Sequence, residues 1–194
     1  MRKIILASAS PRRKEILKQT GVSFTVMPGD CEEIATQTSP FEMVKELSLN
    51  KAMSIAGKVK EDCLVIGADT VVAYEDTVLG KPKDEEDAVR MLQMLQGQTH
   101  QVYTGVTVLR WEKQEWIPCT FCVCTDVTFY PVSEEEIRRY VHSGDGMDKA
   151  GSYGIQGYFG GYVKKISGDY WNVVGLPAGR LFYEMKKLGI DLRG

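Results

Sequence analysis

Several charged residues stand where a protein with no ligand to hold would gain nothing from them. In KIILASASPRRKEILKQTG, Lys3 to Gly21, a short strand runs into a helix with Ser10 as N-cap and Pro11 at its first position. Arg12, Arg13 and Lys14 then fill the first helical turn. That end of a helix already carries partial positive charge, and each exposed cation there costs about 0.3–1 kcal/mol. The chemistry this favours is anion binding, with backbone N–H groups and guanidinium forks converging on phosphate. Solvent screening and nearby carboxylates would also relieve the repulsion, so these residues alone leave both readings open.

Five further features have the same double character. Asp69 interrupts the apolar run CLVIGADTVVAY, and a carboxylate there must be paired, hydrogen-bonded or bound to metal. Lys51 falls on the helical stripe of Val44, Leu47 and Ile55, so it looks inward, either to snorkel or to meet a phosphate. Lys81 is fixed between Gly80 and Pro82 in GKPKD, though turn lysines are commonly only solvated. Glu32 and Glu33 make an acidic loop that suits solvent or a hard cation shared with Asp69. In DKAGSYGIQGYFGG, glycine density permits close backbone approach, and Gln156 is the one amide suited to reading a base edge. There is no GxxxxGK[ST] phosphate loop, and neither histidine sits in a legible nucleophilic set.

The elements that must position these residues alternate in type. A strand is expected over Val22–Val26, then a helix from Pro40 with Ser39 and Glu42 as a capping box. Cys63–Tyr74 reads as a buried strand, and TVLG as a hairpin return. A third helix follows in DEEDAVRMLQMLQG, then two long strands around a turn at Glu112–Gln114. SEEEIRRYV carries a second capping box, Ser133 with Glu136. GYVKKISGDYWNVVGL is expected to form a hairpin turning at Ser167–Asp169, and Pro177 to open the last helix. The pattern predicts an α/β fold with a mixed, twisted sheet and flanking helices, and a ligand cleft at the carboxyl ends of the early strands.

Composition narrows the partners. The chain has 194 residues, 43% hydrophobic and 26% charged, with 24 basic against 26 acidic residues for a net charge of −2. No global basic field exists to hold nucleic acid, so any anion site is local. No apolar run reaches transmembrane length, and IILA is too short for a signal-peptide core, which predicts a cytoplasmic protein with no membrane partner. The five cysteines lack framework spacing and are expected as reduced thiols.

Taken in order, LASASPRRKEIL, GADTVV, GKPKD, GQTHQVYTGV, DKAGSYGIQG and VVGLP resemble the Maf family from Ile4 to Pro177. The resemblance implies one Maf-like domain over residues 1–194, related in fold to the inosine triphosphatases, with two lobes around a cleft. It implies a nucleoside triphosphate pyrophosphatase that cleaves between the α and β phosphates with a divalent cation, Mg²⁺ or Mn²⁺. SPRR, ADT and GIQG resemble the branch acting on dTTP and UTP, whereas the 7-methyl-GTP branch carries SPWRR, SDQ and a glutamate in place of the glutamine. Ala9 stands where that first branch often has glycine. Residue by residue, the resemblance makes Asp69 the proton acceptor and a metal contact, with Glu33 helping to hold the metal. Arg12, Thr70 and Gln156 become specificity positions, while Ser8, Arg13, Lys51 and Lys81 would hold the triphosphate. Family members also suggest a homodimer. The alternatives are a pyrophosphatase acting chiefly on modified nucleotides, and a nucleotide-binding regulator of cell division and septum formation with little turnover.

Overall fold

The computed structural model describes residues 2–29, 34–59 and 62–194. Strand β1 (Lys3–Leu6) leads into helix α1 (Pro11–Gln19), strand β2 (Thr25–Val26) and helix α2 (Pro40–Ala56). Then come β3 (Cys63–Tyr74), β4 (Thr77–Leu79) and α3 (Glu85–Leu95). The second half holds β5 (Thr99–Glu112), β6 (Glu115–Phe129), α4 (Glu134–His142), β7 (Val163–Ser167), α5 (Tyr170–Val174) and α6 (Ala178–Lys187). Two 3₁₀ turns, Ala150–Ser152 and Tyr158–Tyr162, punctuate the glycine-dense stretch. The strands form one mixed sheet in the order β2-β1-β3-β5-β6-β7, with β4 paired to β3. β1 is parallel to both β2 and β3, which is why a helix intervenes each time. β4 and β7 are antiparallel to β3 and β6. This is the mixed α/β architecture expected.

The chain divides into two compact units. The first comprises residues 1–69, 104–123 and 175–194; the second comprises 70–103 and 124–174. In the first unit, α2 packs Ala52, Ile55 and Ala56 onto Ile5, Val65 and Leu109 of the strands. Two glycines set how closely it lies. A Cβ on Gly67 of β3 would sit 2.8 Å from the Ala52 nitrogen and strike the Ser48 carbonyl. A Cβ on Gly105 of β5 would strike the Val44 carbonyl. Beside these contacts the hydroxyls of Ser48, Thr107 and Thr120 form a chain of hydrogen bonds, each 2.9 Å, from helix to β5 to β6. A buried hydroxyl left without such a partner would destabilise the fold.

The second unit has an aromatic core. Phe129 meets His100, Tyr153 and Phe159 edge to face, and Tyr153 meets His100 in the same way. His100 Nε2 shares a 2.8 Å hydrogen bond with the Tyr153 hydroxyl, and both residues are buried. α3 and α4 supply Leu92, Leu95, Ile137 and Tyr140 to the same core.

Three local expectations change. Only Thr25–Val26 of the Val22–Val26 segment pair with β1, because Gly21 leaves α1 at φ +78° and Val22 is spent burying its side chain. Ser39 does stand at the α2 N-cap, but its side chain makes no cap bond. Glu42 is drawn instead to Lys45, 3.1 Å away one turn on, so no capping box forms. The Ser133–Glu136 box is present in full. The expected hairpin beyond Gly161 is a strand followed by a helix. Asp169 accepts the Trp171 N–H at 2.8 Å, starting a helical turn. Asn172 then donates to the Val102 carbonyl and to Thr125, pulling that turn inward. β7 pairs with β6, earlier in the chain, rather than with the segment after it.

Burial holds His100 neutral, pushing its pKa down from 6.5 to about 4. The unfolded imidazole takes a proton near its ordinary value of about 6.5, so the unfolded state binds more protons than the native state between those values. Stability is therefore full above that range and falls as the pH drops through it. Urea unfolding near pH 7 and near pH 4.5 should differ by roughly 2 kcal/mol from this group. His100→Gln should flatten that dependence; an identical pH profile in the variant would assign the acid sensitivity elsewhere.

Candidate active site

At the carboxyl edge of the parallel strands in the first unit, backbone geometry gathers five of the expected residues. β1 is registered so that Leu6 lies opposite Ile66, and the Ala7 N–H extends the ladder to the Ile66 carbonyl at 2.8 Å. The chain then leaves the sheet and enters α1. Ser10 caps that helix, its hydroxyl accepting from the Arg13 N–H. The first turn of α1 contains no acidic residue. Its positive end, reinforced by Arg12 and Arg13, opens beside the strand that carries Asp69 three residues beyond Ile66. Both arginines are half-buried.

Ser8 and Arg13 are held together. The buried Ser8 hydroxyl accepts from the Ser10 N–H at 3.2 Å and from Arg13 Nη1 at 3.3 Å. Having accepted twice, it has its own proton to donate. Arg13 Nε donates to the Gly175 carbonyl at 2.8 Å. That carbonyl is a part of the site that the charged residues did not reveal. The signal was the VVGLP stretch itself, whose Gly175 adopts φ +122°, a conformation suited to glycine.

Lys51 Nζ donates to Asp69 Oδ1, with the two side chains only 14% and 10% exposed. Desolvating either charge alone would cost several kcal/mol, so each justifies the other's burial. The pair follows from the close seat of α2. Gly67 and Asp69 lie two residues apart on one face of β3, and Lys51 lies one turn beyond Leu47 on the helix pressed against that face. The inward lysine is thus not a snorkelling one.

Three of the remaining residues belong to the second unit. Thr70 follows Asp69 on β3, faces the other side of the strand and is half-buried. Lys81 is exposed, immediately after β4. Gln156 is also exposed, between the two 3₁₀ turns. The Gly151 N–H donates to the Gly80 carbonyl at 3.0 Å, so the Lys81 turn and the glycine-dense stretch are joined by backbone. Glu33 lies outside the described residues.

Among the described residues, no three His, Cys, Asp or Glu side chains cluster as a metal cage. The acidic donor in the first unit's group is the Asp69 carboxylate. Its two oxygens offer about four acceptor positions, of which Lys51 takes one at Oδ1. One or two carboxylates joined by substrate phosphates is the donor set that Mg²⁺ prefers, so these residues fit a cation that arrives with its substrate. No helix among the described residues is long and apolar enough to cross a membrane.

The spacing of these motifs is matched by a family model described as Maf-like protein, which covers residues 3–188. The chain belongs to the Maf family. Within it, the chain is 56% identical to a protein of Agathobacter rectalis named dTTP/UTP pyrophosphatase, over 99% of this chain and the whole of that one. A protein of the same name from Lachnoclostridium phytofermentans is 50% identical, with 99% and 98% of the two chains covered. So is one from Bacillus thuringiensis subsp. konkukian, with the same coverage. The likeness to Maf proteins therefore takes in both units.

The buried pair gives a direct energetic expectation. Lys51→Met should lower the unfolding free energy by roughly 3 kcal/mol by stranding the Asp69 charge. The double variant Lys51→Met/Asp69→Leu should recover most of that loss. Chemical denaturation of the four proteins of this cycle measures the coupling, and strictly additive effects would contradict it.

Proposed function

We propose that this Maf protein is a nucleoside triphosphate pyrophosphatase acting on dTTP and UTP in the cytoplasm, releasing the monophosphate and pyrophosphate. The observation that carries the reading is the Lys51–Asp69 pair, buried beside a basic helix N-terminus at the carboxyl edge of the parallel strands. A carboxylate base and a phosphate cradle are what such a hydrolysis needs. The names of the relatives supply the substrates.

In this mechanism the triphosphate binds across the α1 N-terminus, where backbone N–H groups donate to its oxygens. Arg13 offers a guanidinium already oriented by the Gly175 carbonyl, and Ser8 offers its hydroxyl proton. Lys51 and Lys81 add ammonium groups along the chain of phosphates. Asp69 takes the proton of the water that attacks the α-phosphorus, and the pyrophosphate departs against the cations that held it. Lys51 keeps the Asp69 carboxylate aimed until substrate arrives. A divalent cation, Mg²⁺ or Mn²⁺, would be held by Asp69, Glu33 and phosphate oxygens, and supplies charge neutralisation when bound. Arg12, Thr70 and Gln156 select the base. The working unit is one Maf-like domain spanning 1–194, and a homodimer is its proposed assembly.

Two substitutions test the assignments. Asp69→Asn is expected to reduce pyrophosphate release from dTTP by at least about a thousandfold, with nucleotide binding retained. Release measured with Mg²⁺ or Mn²⁺ at wild-type levels would remove Asp69 from the chemistry. Gln156→Glu exchanges an amide that both donates and accepts for a pure acceptor. It should lower kcat/KM for dTTP and UTP relative to dGTP and 7-methyl-GTP by about a hundredfold. An unchanged nucleotide profile would show that the amide does not read the base. Nucleotide binding by the wild type without turnover of any triphosphate would favour the regulator of cell division instead.

A further inference from the structure

Gln156 is exposed, yet the backbone leading to it is fixed at three successive residues of the second unit. The Tyr153 side chain is buried and anchored through its hydroxyl to His100 at 2.8 Å. The Gly154 N–H donates to the Tyr140 hydroxyl at 3.2 Å. The Ile155 carbonyl is pressed against Gly160, where an added Cβ would strike it. Upstream, Gly151 and Ser152 take φ values of +68° and +60°. A left-handed serine is held there only by its surroundings. The Gln156 amide therefore stands on a short, immobilised arm.

The second hold is unusual. Tyr140 rises from the inner face of α4, its ring buried against Phe159. Its hydroxyl accepts from Gly154 and donates to Asp145 Oδ2 at 2.8 Å. Asp145 is itself fastened by Lys149, which also pairs with Asp148 at 2.7 Å. One phenol oxygen thus bridges a backbone amide of the glycine segment and a clamped carboxylate. Burial against an apolar ring would not require the hydroxyl; the hydrogen bonds do.

We propose that Tyr140, oriented by Asp145, is a positioning residue for base selection: its hydroxyl fixes the backbone at Gly154 and so sets where the Gln156 amide meets the nucleotide. This rests on the reading of Gln156 as the amide that reads dTTP and UTP. With the backbone already fixed, only the Gln156 side-chain rotamers have to be ordered when the base arrives, whereas a loose segment must be ordered by the substrate as well. The Tyr140 hydroxyl bonds Gly154 and Asp145 and none of the residues read as holding the phosphates, so the effect falls on discrimination and not on the chemical step.

The test is kinetic, with dTTP, UTP and CTP as probes on wild type, Tyr140→Phe, Asp145→Ala and Asp145→Asn. Tyr140→Phe keeps the ring and removes the oxygen. It should raise KM for dTTP and UTP about tenfold, leave kcat within about twofold, and lower the preference over CTP about tenfold. Asp145→Ala should do the same. Asp145→Asn retains an oxygen acceptor for the phenol and should restore the wild-type preference. Should Tyr140→Phe fail to fold, the Asp145 variants carry the test, since that side chain is 42% exposed. Wild-type preference in both Tyr140→Phe and Asp145→Ala would overturn the proposal. So would an equal fall in kcat on all three nucleotides, which marks a structural role, or failure of Asp145→Asn to rescue. A wild type that does not prefer dTTP and UTP over CTP would overturn the reading of Gln156 itself, and would do so before any variant is made.

Discussion

The contact on which the site depends is backbone against backbone. α2 lies on β3 and β5 at Gly67 and Gly105, at a distance that no side chain at either position would permit. Because strand residues alternate in direction, Asp69 shares the face of Gly67, and Thr107 shares the face of Gly105. The helix pressed into that face brings Ser48 onto Thr107 and Lys51 onto Asp69. The two pairs are consequences of one seating. A helix held further out would leave an aspartate alone in an apolar strand and a lysine alone on an apolar stripe, each an uncompensated charge. The glycines thus make the ion pair geometrically available, and the ion pair makes the charges tolerable.

The same unit shows how a helix start can be loaded with cations and remain folded. Ser10 satisfies one of the orphan N–H groups, and Ser8 with the Gly175 carbonyl occupies the Arg13 guanidinium. The repulsion is managed locally through hydrogen bonds and not by an acidic neighbour in the first turn, which has none. Within that turn Arg12 and Arg13 therefore reinforce the positive helix end, which suits an incoming triphosphate. The second unit works differently. Its aromatic core supplies rigidity, and its polar atoms hold a glycine-dense segment in conformations the segment would not keep by itself.

Periodicity and punctuation determined a good deal on their own. Cys63–Tyr74 could be read as a strand from its apolar run, and the Ser133–Glu136 box from its spacing, because both signals are local. The inward direction of Lys51 followed from helical spacing with Leu47 and Ile55, and the oddity of Asp69 from its apolar neighbours. The motifs named the Maf family and with it a chemistry. Local rules failed where another partner prevailed. Glu42 left its expected cap for Lys45, and Tyr170–Val174 became a helix because Asn172 could reach Val102 and Thr125.

What the residue order could not decide was which charge met which. Nothing in the spacing of Lys51 and Asp69 states that they pair, since the pairing depends on the depth at which α2 sits, and that depth is set by glycines on two separate strands. Nor does the sequence indicate that the Gly175 carbonyl orients Arg13, or that Tyr140 and His100 hold either side of the Gly154 backbone. These contacts join residues far apart in the chain, and a hydrogen bond depends on a few tenths of an ångström that only the packed structure defines. The sequence by itself determined the inventory of charges, the elements bearing them and the family they belong to. The tertiary structure decided their pairing, because desolvation makes a buried charge acceptable only beside the partner that folding brings to it.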